Sequence, residues 1–447
     1  MKTRYFISFF LLAVICCAGL FYNPAAGPVT STNINPADIA WMLTAAGLVL
    51  LMTPGLSFFY GGMVSKKNII STMLQSFVAL GVITVLYVFV GFSLCFGDSF
   101  HGLIGDPRTY FMFRNVDLNT NALLSPTIPF MLFAIFQLKF AIITPALITG
   151  SFAERVKFNA YLLFICLFSI FIYAPLAHWT WHPDGFLHKL GVLDFAGGTV
   201  VHMSAGYAAL AGAMILGARS SFGDNKHQEP ANIPFVILGT GMLWFGWFGF
   251  NAGSSLGANT TAVLAFATTI VASAAAMMTW IFFDAIRGKK VSAMGACIGA
   301  VVGLVAITPA AGYVTIPHAL FIGFAASIIS NLAVRAKNKS NLDDTLDVFP
   351  CHGIGGISGM IMTGIFAKNG GLYYGDKTLF LYHMLALVIV SVYTFGGSYL
   401  LYKITDKIVP LRVSLQDEID GLDFTQHGET YKLKKPAVNG HANANAA

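Results

Sequence analysis

Past residue 36 the chain divides into eleven apolar stretches, each long enough to cross a lipid bilayer, and that leaves it very few folds. They run at about 37–62, 68–96, 127–152, 157–178, 197–218, 232–253, 260–286, 291–309, 315–335, 349–367 and 378–405. A hydrocarbon layer about 30 Å thick takes roughly 20 residues of helix. A single segment in that layer has no water for its N–H and C=O groups, so it must close its own backbone hydrogen bonds, as an α-helix does. Composition agrees, with 56% of residues hydrophobic and 10% charged, where a soluble domain carries about a quarter charged. As a soluble domain the chain would have no core large enough to hold these runs. Its net charge of +6 does not point to nucleic acid, because the Lys and Arg residues lie mostly in short loops.

Residues 1–26 read as a signal peptide: Lys2 and Arg4 form a basic start, 5–21 a short apolar run, and Pro24-Ala25-Ala26 a cleavage zone. The alternative, an uncleaved anchor, is disfavoured because the run is short for a span. Cleavage puts the mature N-terminus outside the cytoplasmic membrane. The odd-numbered loops are then cytoplasmic, and they carry Lys66 and Lys67; Arg155 and Lys157; Arg219 and Lys226; Arg287, Lys289 and Lys290; and Arg335, Lys337 and Lys339. The even-numbered loops carry only Arg108, Arg114, Lys189, Lys368 and Lys377. Basic inner loops are what the positive-inside rule requires, so the tail 407–447 is cytoplasmic as well. The six cysteines show no Cys-x-x-Cys spacing, so neither a disulfide framework nor a zinc site is indicated, and no cofactor is expected.

Two histidines each sit inside a long apolar stretch, His202 in the fifth and His352 in the tenth. Such residues are costly at bilayer depth and are rare unless they line a pathway or pair with another polar group. Small residues follow both, in His202-Met-Ser-Ala-Gly206 and His352-Gly-Ile-Gly-Gly356, and an aspartate precedes each, Asp194 and Asp347. Ile143-Thr144-Pro145-Ala146 in the third span returns as Ile307-Thr308-Pro309-Ala310 in the eighth. Both coincidences fit two five-helix units, 37–218 and 232–367, followed by a final helix at 378–405. Units with an odd number of helices must be inverted relative to one another, an arrangement that places polar groups of transporters at the midplane. The fold expected is therefore an all-α polytopic membrane protein with an inverted 5+5 repeat. A lone buried histidine is as often a structural ring as a functional one; two at equivalent places favour function.

The motifs Asp194-Phe-Ala-Gly-Gly-Thr-Val-Val-His202 and Asp347-Val-Phe-Pro-Cys-His352-Gly resemble those of ammonium transporters of the Amt/Mep/Rh type, in the Amt branch. So do Pro54-Gly-Leu-Ser-Phe-Phe-Tyr-Gly-Gly62, Phe136-Gln-Leu-Lys-Phe140, Ala153-Glu-Arg155 and Trp247-Phe-Gly-Phe-Asn-Ala-Gly-Ser254, together with the tail segment beginning at Leu411. The resemblance covers residues 37–431. It implies a homotrimer with one narrow pore per subunit, centred on His202 and His352, and ammonium or ammonia as the substrate. It also implies an external recruitment site of Trp181, Ser254 and Phe136 above a gate of Phe140 and Phe250. Asp194, Trp247 and Asp347 take supporting places, and the tail is a docking place for a PII-type regulatory protein.

The chemistry suits those assignments. Ammonium entering an apolar lumen must give up its water. Aromatic faces attract cations by about 1–2 kcal/mol when partly desolvated, and a serine hydroxyl accepts an N–H bond. Two neutral imidazoles each offer one donor and one acceptor nitrogen, able to accept from or relay protons. For Asp194 a structural duty, capping the fifth span, is expected over direct contact with substrate. Phe140 and Phe250 are two of 39 phenylalanines and would not stand out without the surrounding motifs. Lys139 falls about 80° to one side of the direction shared by Phe136 and Phe140, outside the lumen. His101, His178, His182 and His188 sit at external span ends or loops and read as solvated. An ammonium sensor signalling through the tail is the alternative function. An intramembrane hydrolase is disfavoured, because Gly253-Ser-Ser255-Leu-Gly257 closes a membrane helix where a nucleophile elbow follows a strand.

Overall fold

The structure, a computed structural model, describes residues 2–21, 28–223 and 229–431. The expected cleavage zone Pro24-Ala25-Ala26, Lys226 and the end of the tail lie outside the described residues. The N-terminal helix α1 runs Lys2–Phe21. The bundle follows as α2 (Pro36–Met63), α3 (Ile69–Phe96), α4 (Phe130–Ser151), α5 (Phe158–Lys189, interrupted at 182–185), α6 (Gly198–Leu216), α7 (Ile233–Gly253), α8 (Thr260–Ile286), α9 (Ala293–Ile307), α10 (Ile316–Asn338), α11 (Phe349–Phe366) and α12 (Thr378–Ile408). Two short tail helices, α13 (Leu415–Asp420) and α14 (Leu422–His427), complete it.

Among the described residues, ten of these helices are long and apolar enough to cross a membrane, and α9 is shorter. The chain is thus an all-α, multi-pass membrane protein. Helix α9 occupies the place expected for the eighth span but has only 15 residues, about 22 Å at 1.5 Å per residue. Pro309 lies just beyond its end, where its ring and missing N–H prevent a further regular turn. Between α3 and α4 the chain forms two small hairpins, Ser99–Phe100 with Ile104–Gly105 and Thr120–Asn121 with Ser125–Pro129.

Glycine sets how closely the central helices approach. Helix α7 carries Gly239, Gly246 and Gly253 at seven-residue intervals, and α2 carries Gly55 and Gly62. A Cβ on Gly246 would lie 2.6 Å from the Leu48 carbonyl, and one on Gly62 the same distance from the Asn232 carbonyl. In lipid, where no hydrophobic force drives helices together, such backbone proximity gains packing that larger residues would forfeit. Helices α6 and α11 cross in the same manner, Gly206 against Gly353, and a Cβ on Gly356 would stand 3.2 Å from that of His202.

Among the described residues, four helical turns are widened to π geometry, at Tyr87–Gly91, Ser169–Tyr173, Gly198–Met203 and Phe349–Gly353. The last two contain His202 and His352. A π turn inserts an extra residue and re-aims side chains, and it is common at functional sites.

On one face, called here the tail face, residues 409–431 pack on the helix ends. Lys157 N–H donates to the Leu411 carbonyl at 2.8 Å and Val413 N–H to the Arg155 carbonyl at 3.0 Å. The Lys67 ammonium donates to the Glu418 and Ile419 carbonyls at 2.9 and 2.6 Å. Asp423 accepts the Ser71 N–H at 2.7 Å, covering the start of α3.

Candidate functional site

A cavity of about 560 Å³ opens on the face opposite the tail, lined by Trp181, Ser254, Gln137, Asp194, Leu256 and Phe140 among others. The Trp181 indole donates to the Asp194 carbonyl at 3.1 Å, which fixes the ring. The Ser254 hydroxyl donates to the Phe250 carbonyl at 2.8 Å, so its lone pairs remain for an incoming N–H. Phe140 meets Trp181 edge-on, with centroids 5.6 Å apart. Phe140 and Phe250 then pack at 4.4 Å and 40°, both buried, and close the floor of the cavity. Phe136 stands at the side: it is fully buried, 5.1 Å from Phe140, and its ring packs against Gly253 without lining the cavity.

Beyond Phe250 the rings continue. His202 is 6.0 Å from Phe250 at 27°, and Trp247 lies over it at 5.4 Å and 20°. Trp247 is held by its indole N–H, which donates to the Thr308 hydroxyl at 2.9 Å. His202 and His352 come together with Nδ1 atoms 3.3 Å apart. One of those nitrogens donates and the other accepts, so a single shared hydrogen fixes both rings. The Nε2 of His202 is buried without a partner among the described residues. An orphan of that kind is costly and points to a ligand or a functional demand.

Asp194 behaves as the sequence reading expects of a cap. Its carboxylate accepts the N–H groups of Gly197, Gly198 and Thr199 at 2.8, 2.6 and 2.7 Å, and the Thr199 hydroxyl at 2.6 Å. With those sites filled it holds the start of α6, and through its carbonyl it holds Trp181. Asp347 lies on the tail face instead, at φ +58°, paired with Lys337 at 2.7 Å.

The counterpart of Asp194 is a residue the sequence reading passed over. Asp344 stands eight residues before His352, as Asp194 does before His202, and its carboxylate accepts the Phe349 N–H at 2.7 Å at the start of α11. Burial pushes the Asp344 carboxyl up to about 6, and the negative charge of Asp347 adds to the effect. Counting back the same interval from both histidines would have found it.

Other expectations need correction or placing. His178 and His182 are buried, not solvated: they stack at 4.5 Å, and His178 bonds the Cys95 carbonyl at 2.9 Å and Ser99 Oγ at 2.8 Å. Helix α5 brings His178 beneath the first hairpin, where its ring meets Ser99. Lys139 is half-buried, sharing an outer stripe of α4 with Met131 and Ile135, and it does not line the cavity. The Ser255 hydroxyl donates to the Ala252 and Gly257 carbonyls at 2.8 and 2.9 Å, a helix-end cap. Two roomier cavities, about 770 and 840 Å³, lie against the hairpins and under the tail, and neither reaches the imidazole pair.

A multi-pass helical bundle with an aromatic-lined vestibule above buried, paired imidazoles has the build of a membrane transport protein. Comparison with known proteins makes this specific. The Ammonium Transporter Family profile matches residues 40–432. An ammonium transporter of Aquifex aeolicus is 43% identical over 90% of this chain and 94% of its own length. Ammonium transporter Amt1 of Archaeoglobus fulgidus is 41% identical over 89% of this chain and 99% of its own. The crystal structure of Saccharomyces cerevisiae Mep2 superposes with a TM-score of 0.80 at 34% identity, covering 86% of this chain and 88% of that one. The chain belongs to the ammonium transporter family, a family of transporters and not of enzymes.

Proposed function

We propose that the chain carries ammonium across the cytoplasmic membrane by recruiting the cation in the vestibule, removing a proton near the paired phenylalanines, and passing ammonia along the imidazoles. The observation that carries this reading is the His202–His352 contact, Nδ1 to Nδ1 at 3.3 Å, lying in line with Phe250, Phe140 and the open cavity. In the vestibule Trp181 offers a π face and Ser254 an acceptor. Neither replaces the full hydration shell, so the ion is held and discriminated without being trapped. Beneath the phenylalanines the lumen is apolar, where an unpaired charge is expensive and a neutral molecule is not. Asp194 acts by fixing Trp181 and the start of α6, Trp247 by flanking His202, and Asp347 by its pair with Lys337 at the far end.

The remaining organisation is proposed on the same footing. Residues 1–26 are a leader, 37–406 the transport domain with units 37–218 and 232–367 and a last helix at 378–405, and 407–447 a cytoplasmic tail. Close packing of α2 with α7 and of α6 with α11, first helix with first and fifth with fifth, supports an inverted repeat, with α9 counted as the eighth of eleven spans. Three copies assemble with a pore in each, and the tail face receives a PII-type regulator.

The test is solid-supported-membrane current in proteoliposomes, comparing ammonium, methylammonium and potassium. Trp181→Leu removes the cation–π face and leaves a smaller apolar side chain, and it is expected to raise the apparent Michaelis constant for ammonium about tenfold. Ammonium current equal to that of potassium in the unaltered protein, or an unchanged Michaelis constant in the variant, would count against the reading.

A further inference from the structure

His383 lies on α12 and does not itself line the vestibule. In the fold its side chain is completely buried and bonded at both nitrogens. Its Nδ1 is 2.9 Å from the Met360 carbonyl on α11, and a carbonyl only accepts, so this nitrogen carries the hydrogen. The Nε2 of a neutral ring is then an acceptor, and the Leu193 N–H donates to it at 3.0 Å. Leu193 belongs to the vestibule wall together with Asp194 and Phe195. The next residue, Asp194, holds Trp181 by its carbonyl and α6 by its carboxylate. The ring reaches this position because α11 presents Gly364 to it, where even a Cβ would stand 3.2 Å from that of His383.

We infer that His383 is a positioning residue: by accepting the Leu193 N–H it fixes the wall that holds Trp181, and so sets how tightly the vestibule takes its cation. One ring thereby ties the last helix to both histidine-bearing segments. Without the acceptor, the Leu193 N–H turns toward water in the cavity, and the Asp194 carbonyl is drawn off the indole. The inference rests on the vestibule being the recruitment site.

Two near-isosteric variants separate the two bonds. An asparagine amide overlays the Nδ1 edge of the ring, and a glutamine amide the Nε2 edge. His383→Asn keeps the bond to Met360 and loses that to Leu193, and it is expected to raise the apparent Michaelis constant for ammonium about fivefold to tenfold, the loss of one buried hydrogen bond. Maximal current should be unchanged. His383→Gln keeps an acceptor for Leu193 and should stay near the unaltered protein. An unchanged Michaelis constant in His383→Asn, equal effects of the two variants, or a fall in maximal current alone overturns the inference. Trp181→Leu run in parallel keeps the two ideas apart: if it shifts the constant and His383→Asn does not, the positioning role fails alone. If neither shifts it, the vestibule reading fails first.

Discussion

Replacing both His202 and His352 by alanine is expected to abolish discrimination between ammonium and potassium, lowering the selectivity ratio by about 100-fold or more. Each ring presents a nitrogen beyond the shared Nδ1 contact, and the Nε2 of His202 has no partner among the described residues. A hydrogen bond in which one side is charged or ionising is worth about 1.5–3 kcal/mol, so losing two removes two or more factors of ten. The rings also fill space, and their removal opens the lumen to water, in which any monovalent cation is comfortable. Single variants should be less selective per residue than half the double, because each leaves the other Nδ1 without its partner. The double-variant cycle therefore has a coupling term well outside additivity. The measurement is ammonium and potassium current on the same proteoliposomes, with retention of the folded species checked by size exclusion. Unaltered flux and selectivity in the double variant would remove the imidazole pair from the mechanism.

What the sequence reveals and what it hides follow from the range of each interaction. The spans are legible because length and hydrophobicity act locally, residue by residue, and bilayer thickness sets a fixed scale. His202 and His352 are legible because their cost at depth is a property of each residue alone. Asp194 is legible as a cap, since the N–H groups that donate to it lie three to five residues on. Its counterpart Asp344 is harder to read because Asp347 stands nearer to His352, and only the shared interval of eight residues from each histidine singles Asp344 out. The roles of His178 and His383 depend on partners such as Cys95, Met360 and Leu193, each more than twenty residues away in sequence. No local pattern encodes such a contact. Phe136 shows the converse: a motif names the residue, while the cavity lining takes in Phe133, Gln137 and Phe140, and the Phe136 ring packs beside Gly253.

Asp343→Ala is expected to be the most destabilising single change on the tail face, costing about 3–5 kcal/mol, the penalty of stripping a partner from buried charge. Its carboxylate accepts three bonds from Arg219, from N and Nε at 2.8 Å and from Nη2 at 2.9 Å, and lies 3.9 Å from Arg155. Arg155 is wholly buried, and burial pulls its guanidinium down to about 10, with the charge of Asp343 opposing; it stays a cation at neutral pH. Without Asp343 that cation's hydrogen-bond partners among the described residues are the Thr345 hydroxyl and backbone carbonyls, with the charge of Asp344 nearby. The exposed pair Lys189–Asp184, with side chains 61% and 51% accessible, supplies the contrast, since breaking it should cost less than about 1 kcal/mol. The pH dependence has a definite sign. Burial works against ionisation of Asp343 and Glu154, but the bonds and charge of Arg219, with the Ser65 N–H on Glu154, hold both below the usual carboxylate range. Groups lowered in the folded state contribute stability above their unfolded values, about 4, and lose it as pH falls through the folded values. Melting temperature in detergent should therefore drop on the acid side in the unaltered protein, and drop less steeply in Asp343→Ala, which starts lower. The same loops carry the tail, Val413 N–H on the Arg155 carbonyl and the Ser220 N–H on Glu418, so the variant should also expose the tail to protease. A melting temperature no lower than that of Asp184→Ala would mean that this charge cluster is dispensable and that the tail is held by its other bonds.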